Sequence, residues 1–444
     1  MVNIRLIKEE QKFIKFLLKL ALLAKNYFIV VFLRLLPVIA SLLAIPIILN
    51  QIGAESFGVY SLYFTFISLS TILDFGYVNI NMYKFQDAYL GSNFNLARSA
   101  YKKFQNDLLK MAGIQSIIFL FIVFPIVAIS FYYLEFNINL DLLLAALIML
   151  CLTPFHVLQN FINRTLICMN KQREALFFNS LSLIFVSVTL VFVSEYTGSI
   201  AMLILVSTFF PLCIFLYQLM RLNKQLRLKI NNSIKSKIKI PKSILSRNFT
   251  IIQVFGALSL GLDPFLVAPF ATSETIAVLS IVSKIIVLPV TIMSWIQITQ
   301  LNFTRQIVLN KEFSKLSQYW YSYIRNWTLV SIFSVPILSF MLEIFIKTWT
   351  HGLIDITFLG SVIAIFWTHL MVLSNYSYQI LYSLEDHRLG RNAIVLTVSL
   401  KIFLTIIMFL FVHEFWVPLL SMSFSIIAIY IPITVYALRK NKSE

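Results

Sequence analysis

The apolar residues of this chain fall into blocks of about 20, the length that crosses the ~30 Å hydrocarbon core of a bilayer as an α-helix. Lipid offers no hydrogen-bond partner to a peptide group, so such blocks are restricted to helices that satisfy their own backbone. Of the 444 residues 59% are hydrophobic and only 12% charged, against about a quarter charged in soluble domains. A soluble enzyme is thereby excluded. Twelve blocks are read as spans: 26–49, 57–80, 111–132, 139–158, 177–194, 198–220, 248–270, 274–299, 326–347, 356–380, 392–412 and 416–437. The expected fold is all-α, a polytopic membrane protein of about 12 transmembrane helices in two six-helix bundles.

The Lys and Arg residues orient it. Segments 1–25, 81–110, 159–176, 221–247, 300–325, 381–391 and 438–444 carry 32 of the 36, and they all fall on one side of the spans. By the positive-inside rule this side, with both termini, is cytoplasmic. The formal charge of +17 is therefore a topology signal and not a nucleic-acid footprint. The opposite connections are short and carry acids, among them Glu55, Asp141, Glu195, Glu274 and Asp355. The three cysteines lie in or beside apolar blocks and imply no disulfide framework. No cleavable signal peptide is visible.

The expected organisation follows: a basic amphipathic segment 1–25, an N-terminal bundle 26–220, a basic cytoplasmic linker 221–247, a C-terminal bundle 248–437 and a tail 438–444. Lys8, Lys12, Lys15 and Lys19 share one face of the first segment, which suits an anionic leaflet. The linker has nine bases and no acid. A weak internal repeat supports two halves. Residues 45–62 (IPIILNQIGAESFGVYSL) align without a gap on 263–280 (DPFLVAPFATSETIAVLS), Pro46 on Pro264. Both copies start from the same side, so the repeat is parallel, about an axis along the membrane normal.

Catalytic signatures are missing: no His-Glu-x-x-His, Cys-x-x-Cys, Gly-x-Ser-x-Gly or phosphate-binding glycine loop occurs, and no metal site or cofactor is expected. The informative residues are charges within spans, each costing roughly 2.5–3.5 kcal/mol to insert. They are Arg34, Asp74, Asp263, Lys284 and Lys401. At about 1.5 Å per residue, Arg34 and Asp74 share one depth, and Asp263 and Lys284 another. One reading makes them two buried ion pairs that tie helices together. The other makes them a cationic cavity, with Lys401 left over and suited to a phosphate or pyrophosphate. Glu343 and Lys347, four apart, read as a helix-surface pair. His369, near mid-membrane, reads as a hydrogen-bonded histidine. Pro46 and Pro264 are the leading hinge candidates among eleven span prolines. Trp320, Trp327, Trp349 and Trp416 fall near span edges, as interfacial anchors do.

The stretch LPVIASLLAIPIILNQIGAESFGVYSLYFTFISLSTILDFGYVNINMY, residues 36–83, resembles the bacterial polysaccharide flippases, through Gly53, Glu55, Phe57, Gly58, Tyr60, Asp74 and Gly76. These are O-antigen translocases of the Wzx type, within the MATE-like multidrug/oligosaccharidyl-lipid/polysaccharide superfamily. The resemblance implies a flippase in the inner membrane that carries undecaprenyl-pyrophosphate-linked oligosaccharide to the periplasmic leaflet by alternating access. It also implies a V-shaped cavity walled by spans 1, 2, 7 and 8. Arg34 and Lys284 would attract the pyrophosphate there, Asp74 and Asp263 would tune them, and Lys401 would contribute less directly. A proton or sodium gradient would reset the cycle. Partners would be the lipid-linked substrate, membrane lipids and other surface-glycan assembly proteins, with no nucleic acid. The alternatives are a multidrug or cation antiporter of the same fold, a peptidoglycan-precursor flippase and a membrane glycan polymerase.

Overall fold

The computed structural model describes residues 32–65, 85, 88–89, 94–103, 105–106, 140–169, 171–226, 244–384 and 387–443. The basic segment 1–25, span 111–132, most of the linker 221–247 and Asp74 lie outside the described residues. The described elements are all helical: α1 (Phe32–Thr65), α2 (94–103), α3 (Leu140–Cys168), α4 (Gln172–Thr197), α5 (Ile200–Gln225), α6 (Ile244–Gly261), α7 (Asp263–Val267), α8 (Ser273–Leu309), α9 (Phe313–Trp349), α10 (Phe358–Ser383), α11 (His387–Phe409), α12 (Val417–Ser425) and α13 (Ile431–Ser443). A π-helical turn, Ile426–Tyr430, joins the last two. Among the described residues eight helical stretches are long and apolar enough to cross a bilayer.

α1 would be about 50 Å long if straight, well beyond a ~30 Å core. Gly53, at φ +80°, interrupts it. A right-handed helix does not continue through that backbone conformation, and glycine adopts it without a Cβ penalty. The break falls where the sequence places the connection between spans 1 and 2. Its repeat counterpart, Ala271, lies in the non-helical stretch between α7 and α8. Among the described residues the helices overlap the expected spans, with three differences: α3 continues to Cys168, ten residues past the expected end of its span, and the other two concern 300–325 and 248–270. The segment 300–325 is not an extended loop: α8 and α9 each run 37 residues and leave only a tight turn at Asn310–Glu312. These helices continue past the apolar stretch because helical hydrogen bonding does not stop where lipid does. Span 248–270 breaks at Leu262, and Pro264 sits in the first turn of the short helix that follows. Proline has no N–H to give, so a first turn is where it costs nothing.

The starts of α5 and α10 are closed by side chains, Ser199 and Thr357. Ser199 caps α5 by accepting from the Met202 N–H, and Asp141 accepts from the Ile200 N–H at 2.8 Å. An acid at the far end, opposite the basic segments, thus neutralises a helix N-terminus. Lys347 lies 3.5 Å from Asp355, not paired with Glu343 as the spacing suggested; both partners are exposed. Trp320 is no interfacial anchor either. It is buried and its ring N–H donates to Ser377, 3.3 Å away. α9 packs on α10 through a narrow face that includes Leu316, Trp320, Leu342 and Ile346, and leaves Phe333, Ile337 and Phe340 exposed. A helix so one-sided in its packing presents its other faces to lipid.

The largest core joins both halves of the chain. Ala44, Ile48, Leu49 and Phe57 belong to one cluster with Val267, Ile276 and Ala277. At its far end α1 touches α8 backbone to backbone. A Cβ added to Gly58 would stand 1.9 Å from the Ser273 carbonyl oxygen and 3.3 Å from the Ala277 nitrogen. The repeat offset carries position 58 onto 276, inside the same α8 turn. The contact thus joins residues of the two aligned stretches, 45–62 and 263–280.

Within the second half, Asp263 and Lys401 form an ion pair, 4% and 1% exposed. The ammonium also donates to the Ser259 carbonyl, 2.5 Å away. The expected pairing of Asp263 with Lys284 is corrected here, as is the expectation that Lys401 is spare. Three charges share a similar depth, and rotation about the helix axes, which depth does not reveal, chose the partner. The pair ties α11 to the α6–α7 break, and the freed carbonyl near that break finds a donor in the lysine.

Two outcomes follow. Lys401→Met, which strands Asp263, should lower stability by about 3–5 kcal/mol, and adding Asp263→Leu should restore most of it; thermal unfolding in detergent measures both. Gly58→Leu should force α1 and α8 apart at the far end. Spin labels at Glu55→Cys and Glu274→Cys, both exposed positions, should then report a longer separation than in the parent. An unchanged distance distribution would show that Gly58 does not set the approach.

Candidate functional site

Below the Gly58 contact, toward the basic end, the halves enclose a cavity of about 330 Å³. Four elements build it. The first arm of α1 supplies Pro37, Val38, Ser41, Leu42, Ala44, Ile45 and Ile48, and the second supplies Phe57, Tyr60 and Phe64. α4 contributes Leu183 to Leu190, α5 contributes Ser207, and α8 contributes Lys284, Val287, Leu288 and Thr291. These positions recur at spacings of three and four, so each helix presents one continuous stripe. On α8 the stripe carries both Ala277, at the Gly58 contact, and Lys284. Seven residues, about 10 Å of helix, separate them.

The cavity is a mostly apolar vessel with few polar groups. Its hydroxyls are largely engaged. The Tyr60 hydroxyl donates to Ser207 at 3.0 Å, because the Ser207 proton is directed to the Leu203 carbonyl at 2.8 Å. Ser187 donates to the Leu183 carbonyl and Thr291 to the Val287 carbonyl, both at 2.9 Å. Lys284 differs from these. Its Nζ lies 5.6 Å from the ring centres of both Phe57 and Phe64. Those ring faces attract a cation by about 0.5–2 kcal/mol each, well short of what an ammonium loses when removed from water. Among the described residues no Asp or Glu lines the cavity or pairs with Lys284. An ammonium held this way is open to an anion that would supply the missing charge and acceptors.

The sequence-designated residues therefore separate. Lys284 lines the cavity. Arg34 is half-buried and precedes Pro37, Val38 and Ser41 on their face of α1, one turn beyond the cavity wall. Asp263 and Lys401 bind each other inside the second half, and no residue of α6 or α7 lines this cavity. The expected walls of spans 1, 2, 7 and 8 become spans 1, 2, 5, 6 and 8 among the described residues. Pro46 stands inside the first arm of α1, half-buried, and Pro264 follows the break at Leu262. His369 is packed against Trp327, with Nδ1–H donating to the Ile365 carbonyl at 2.9 Å and Nε2 2.8 Å from the Ser334 hydroxyl. Sequence reasoning missed Phe57 and Phe64 as neighbours of the lysine. Phe57, Tyr60 and Phe64, at spacings of three and four on one face, are the signal that would have shown them.

No protein-family profile matches the chain, and no curated protein matches its sequence. Solved structures do match in shape. The inward-facing conformation of a multidrug resistance MATE family transporter of the MOP superfamily superposes with a TM-score of 0.68 at 11% identity, covering 93% of this chain and 98% of the other. The outward-facing conformation of a transporter so described gives 0.53 at 11% identity, covering 93% and 96%. The lipid II flippase MurJ, in an inward closed conformation, gives 0.64 at 13% identity, covering 93% and 87%. The chain thus has the fold shared by MATE-type transporters and the lipid II flippase MurJ.

Proposed function

We propose that this protein is a flippase. It would move an undecaprenyl-pyrophosphate-linked oligosaccharide, an O-antigen or capsule repeat unit, from the cytoplasmic to the periplasmic leaflet of the inner membrane. The observation that carries the reading is Lys284: a cation with no carboxylate partner among the described residues, in a cavity shared by the two halves. A multidrug or cation antiporter on this fold would be served by acids in that position. A diphosphate matches the lysine in charge and in acceptors. The apolar remainder of the wall tolerates the first isoprene units, and the polyprenyl tail stays in lipid.

The cycle is alternating access. The headgroup enters from the basic side, the Gly58 contact opens as the basic side closes, and the anion leaves toward the periplasm. Arg34, one turn outside the cavity on the same stripe, would meet the headgroup first. Asp263 and Lys401 would act as a structural tie that keeps the second half rigid while it rocks. Pro46, inside the first arm of α1, and Pro264, after the break at Leu262, would serve as hinges, with a proton or sodium gradient for the reset. At 330 Å³ the cavity is at the small end of ligand sites, so an oligosaccharide would need the halves to part further than they do here. A peptidoglycan-precursor flippase is the second reading, favoured by the likeness to MurJ, and it places the same diphosphate on the same lysine.

Loss of the protein should leave complete lipid-linked repeat units on the cytoplasmic leaflet. If single units accumulated already flipped, the protein would act after translocation, as a polymerase does. The identity of the accumulated lipid decides between a repeat unit and a peptidoglycan precursor. Lys284→Gln, at parental protein level, should reduce surface glycan tenfold or more, the effect of losing a hydrogen bond to a charged group, while Lys284→Arg should retain part of it. Undiminished glycan in Lys284→Gln would remove the lysine from the mechanism.

A further inference from the structure

Three segments rich in Lys and Arg, distant in sequence, converge around a second hollow of about 270 Å³, apart from the central cavity. Tyr89, Phe94 and Arg98 come from the segment 81–110, Lys171 from 159–176 and Gln225 from the start of 221–247. The Lys171 ammonium donates to the Gln225 side-chain oxygen at 2.7 Å, which holds it against the wall. Arg98 is half-buried and has no acidic partner among the described residues. Tyr89 stacks on Phe85 with ring centres 5.8 Å apart, and Phe94 meets Tyr89 edge-on at the same distance. The hollow thus has two cations and an aromatic side.

Its level in the molecule is defined by helix ends. Lys171 lies just beyond the last residue of α3, and Gln225 is the last residue of α5. Ends of spanning helices lie where the hydrocarbon gives way to headgroups. Beside the hollow, Phe94 and Leu96 are 50% and 45% exposed, apolar side chains facing outward at that level. Two like charges drawn to one hollow repel each other unless an anion or water lies between them. The guanidinium fork matches a phosphate in shape, the ammonium adds a point charge, and aromatic rings suit this interfacial depth.

We propose that Arg98 and Lys171 form a phosphate-binding site, occupied by the headgroup of an anionic phospholipid or by a free phosphate of the same chemistry. It is independent of Lys284 and of the flippase reading. The site brings together described residues of three connections of the first half: Arg98 after span 2, Lys171 at the α3–α4 turn and Gln225 at the end of α5. A ligand there would couple their positions.

The test uses the full-length protein in nanodiscs of phosphatidylethanolamine with and without phosphatidylglycerol, with retained lipid read by native mass spectrometry. The parent should retain phosphatidylglycerol, and apparent affinity should fall about fivefold for each charge removed in Arg98→Gln and Lys171→Gln. Arg98→Lys, which keeps the charge and loses the fork, should lie between. Displacement of the lipid by millimolar inorganic phosphate assigns the site to free phosphate, and persistence of the lipid assigns it to the headgroup. Lys224→Gln removes an exposed charge from the last turn of α5 and should leave retention unchanged. Equal retention in Arg98→Gln and the parent, or an equal loss in Lys224→Gln, would overturn the site and leave only diffuse surface charge.

Discussion

Charge in a low-dielectric interior needs a partner, and that requirement organises this molecule. Four basic residues lie away from the basic connections. Lys347 reaches an exposed carboxylate at the far end, and Lys401 is enclosed with Asp263. Arg34 is half-buried near the basic end. Lys284 alone among the four faces a hollow between the halves, with two aromatic faces in place of a carboxylate. Breaking the enclosed pair would leave a charge stranded, so it acts as a fixed tie. The lysine at the seam has no such tie and can interact with whatever enters.

Placement along α8 connects that chemistry to movement. The stripe that presses Ala277 against Gly58 continues to Lys284 and Thr291. Separating the far end therefore reorients the helix that carries the cation. Gly58 permits the close approach because it has no side chain. A larger residue would hold the two copies apart and deny the cavity its closed end. This arrangement leaves a tight seam on one side of the site and the hollow on the other.

Much of the topology was legible in residue order. The helices over 140–168, 172–197, 200–225, 358–383 and 387–409 each overlap the span that hydrophobic length put there, though the first runs ten residues past its expected end at 158, and the break between the first two spans falls at Gly53. The repeat that aligns Pro46 with Pro264 contains both Gly58 and the Ser273–Ala277 turn against which it packs. Pairing was not legible in the same way. Depth along the membrane normal follows from counting residues, whereas the direction a side chain takes around its helix depends on neighbours distant in sequence. Asp263 had two lysines within reach by depth. It took Lys401 because α11 packs beside α6 and α7, while Lys284 points across to α1. Trp320 was misplaced for the same reason: proximity to a span edge does not reveal that α10 covers it.

Hydrophobic block length thus determined on its own that the chain crosses a bilayer repeatedly as helices, and the distribution of Lys and Arg set the expectation of which connections share a side, because lipid imposes those constraints on each segment separately. The tertiary structure alone decided which buried charge is neutralised and which faces a cavity, how closely Gly58 lets the two copies approach, and where three basic connections meet. Those outcomes depend on the rotation and contact of helices far apart in the sequence, and no single segment contains that information.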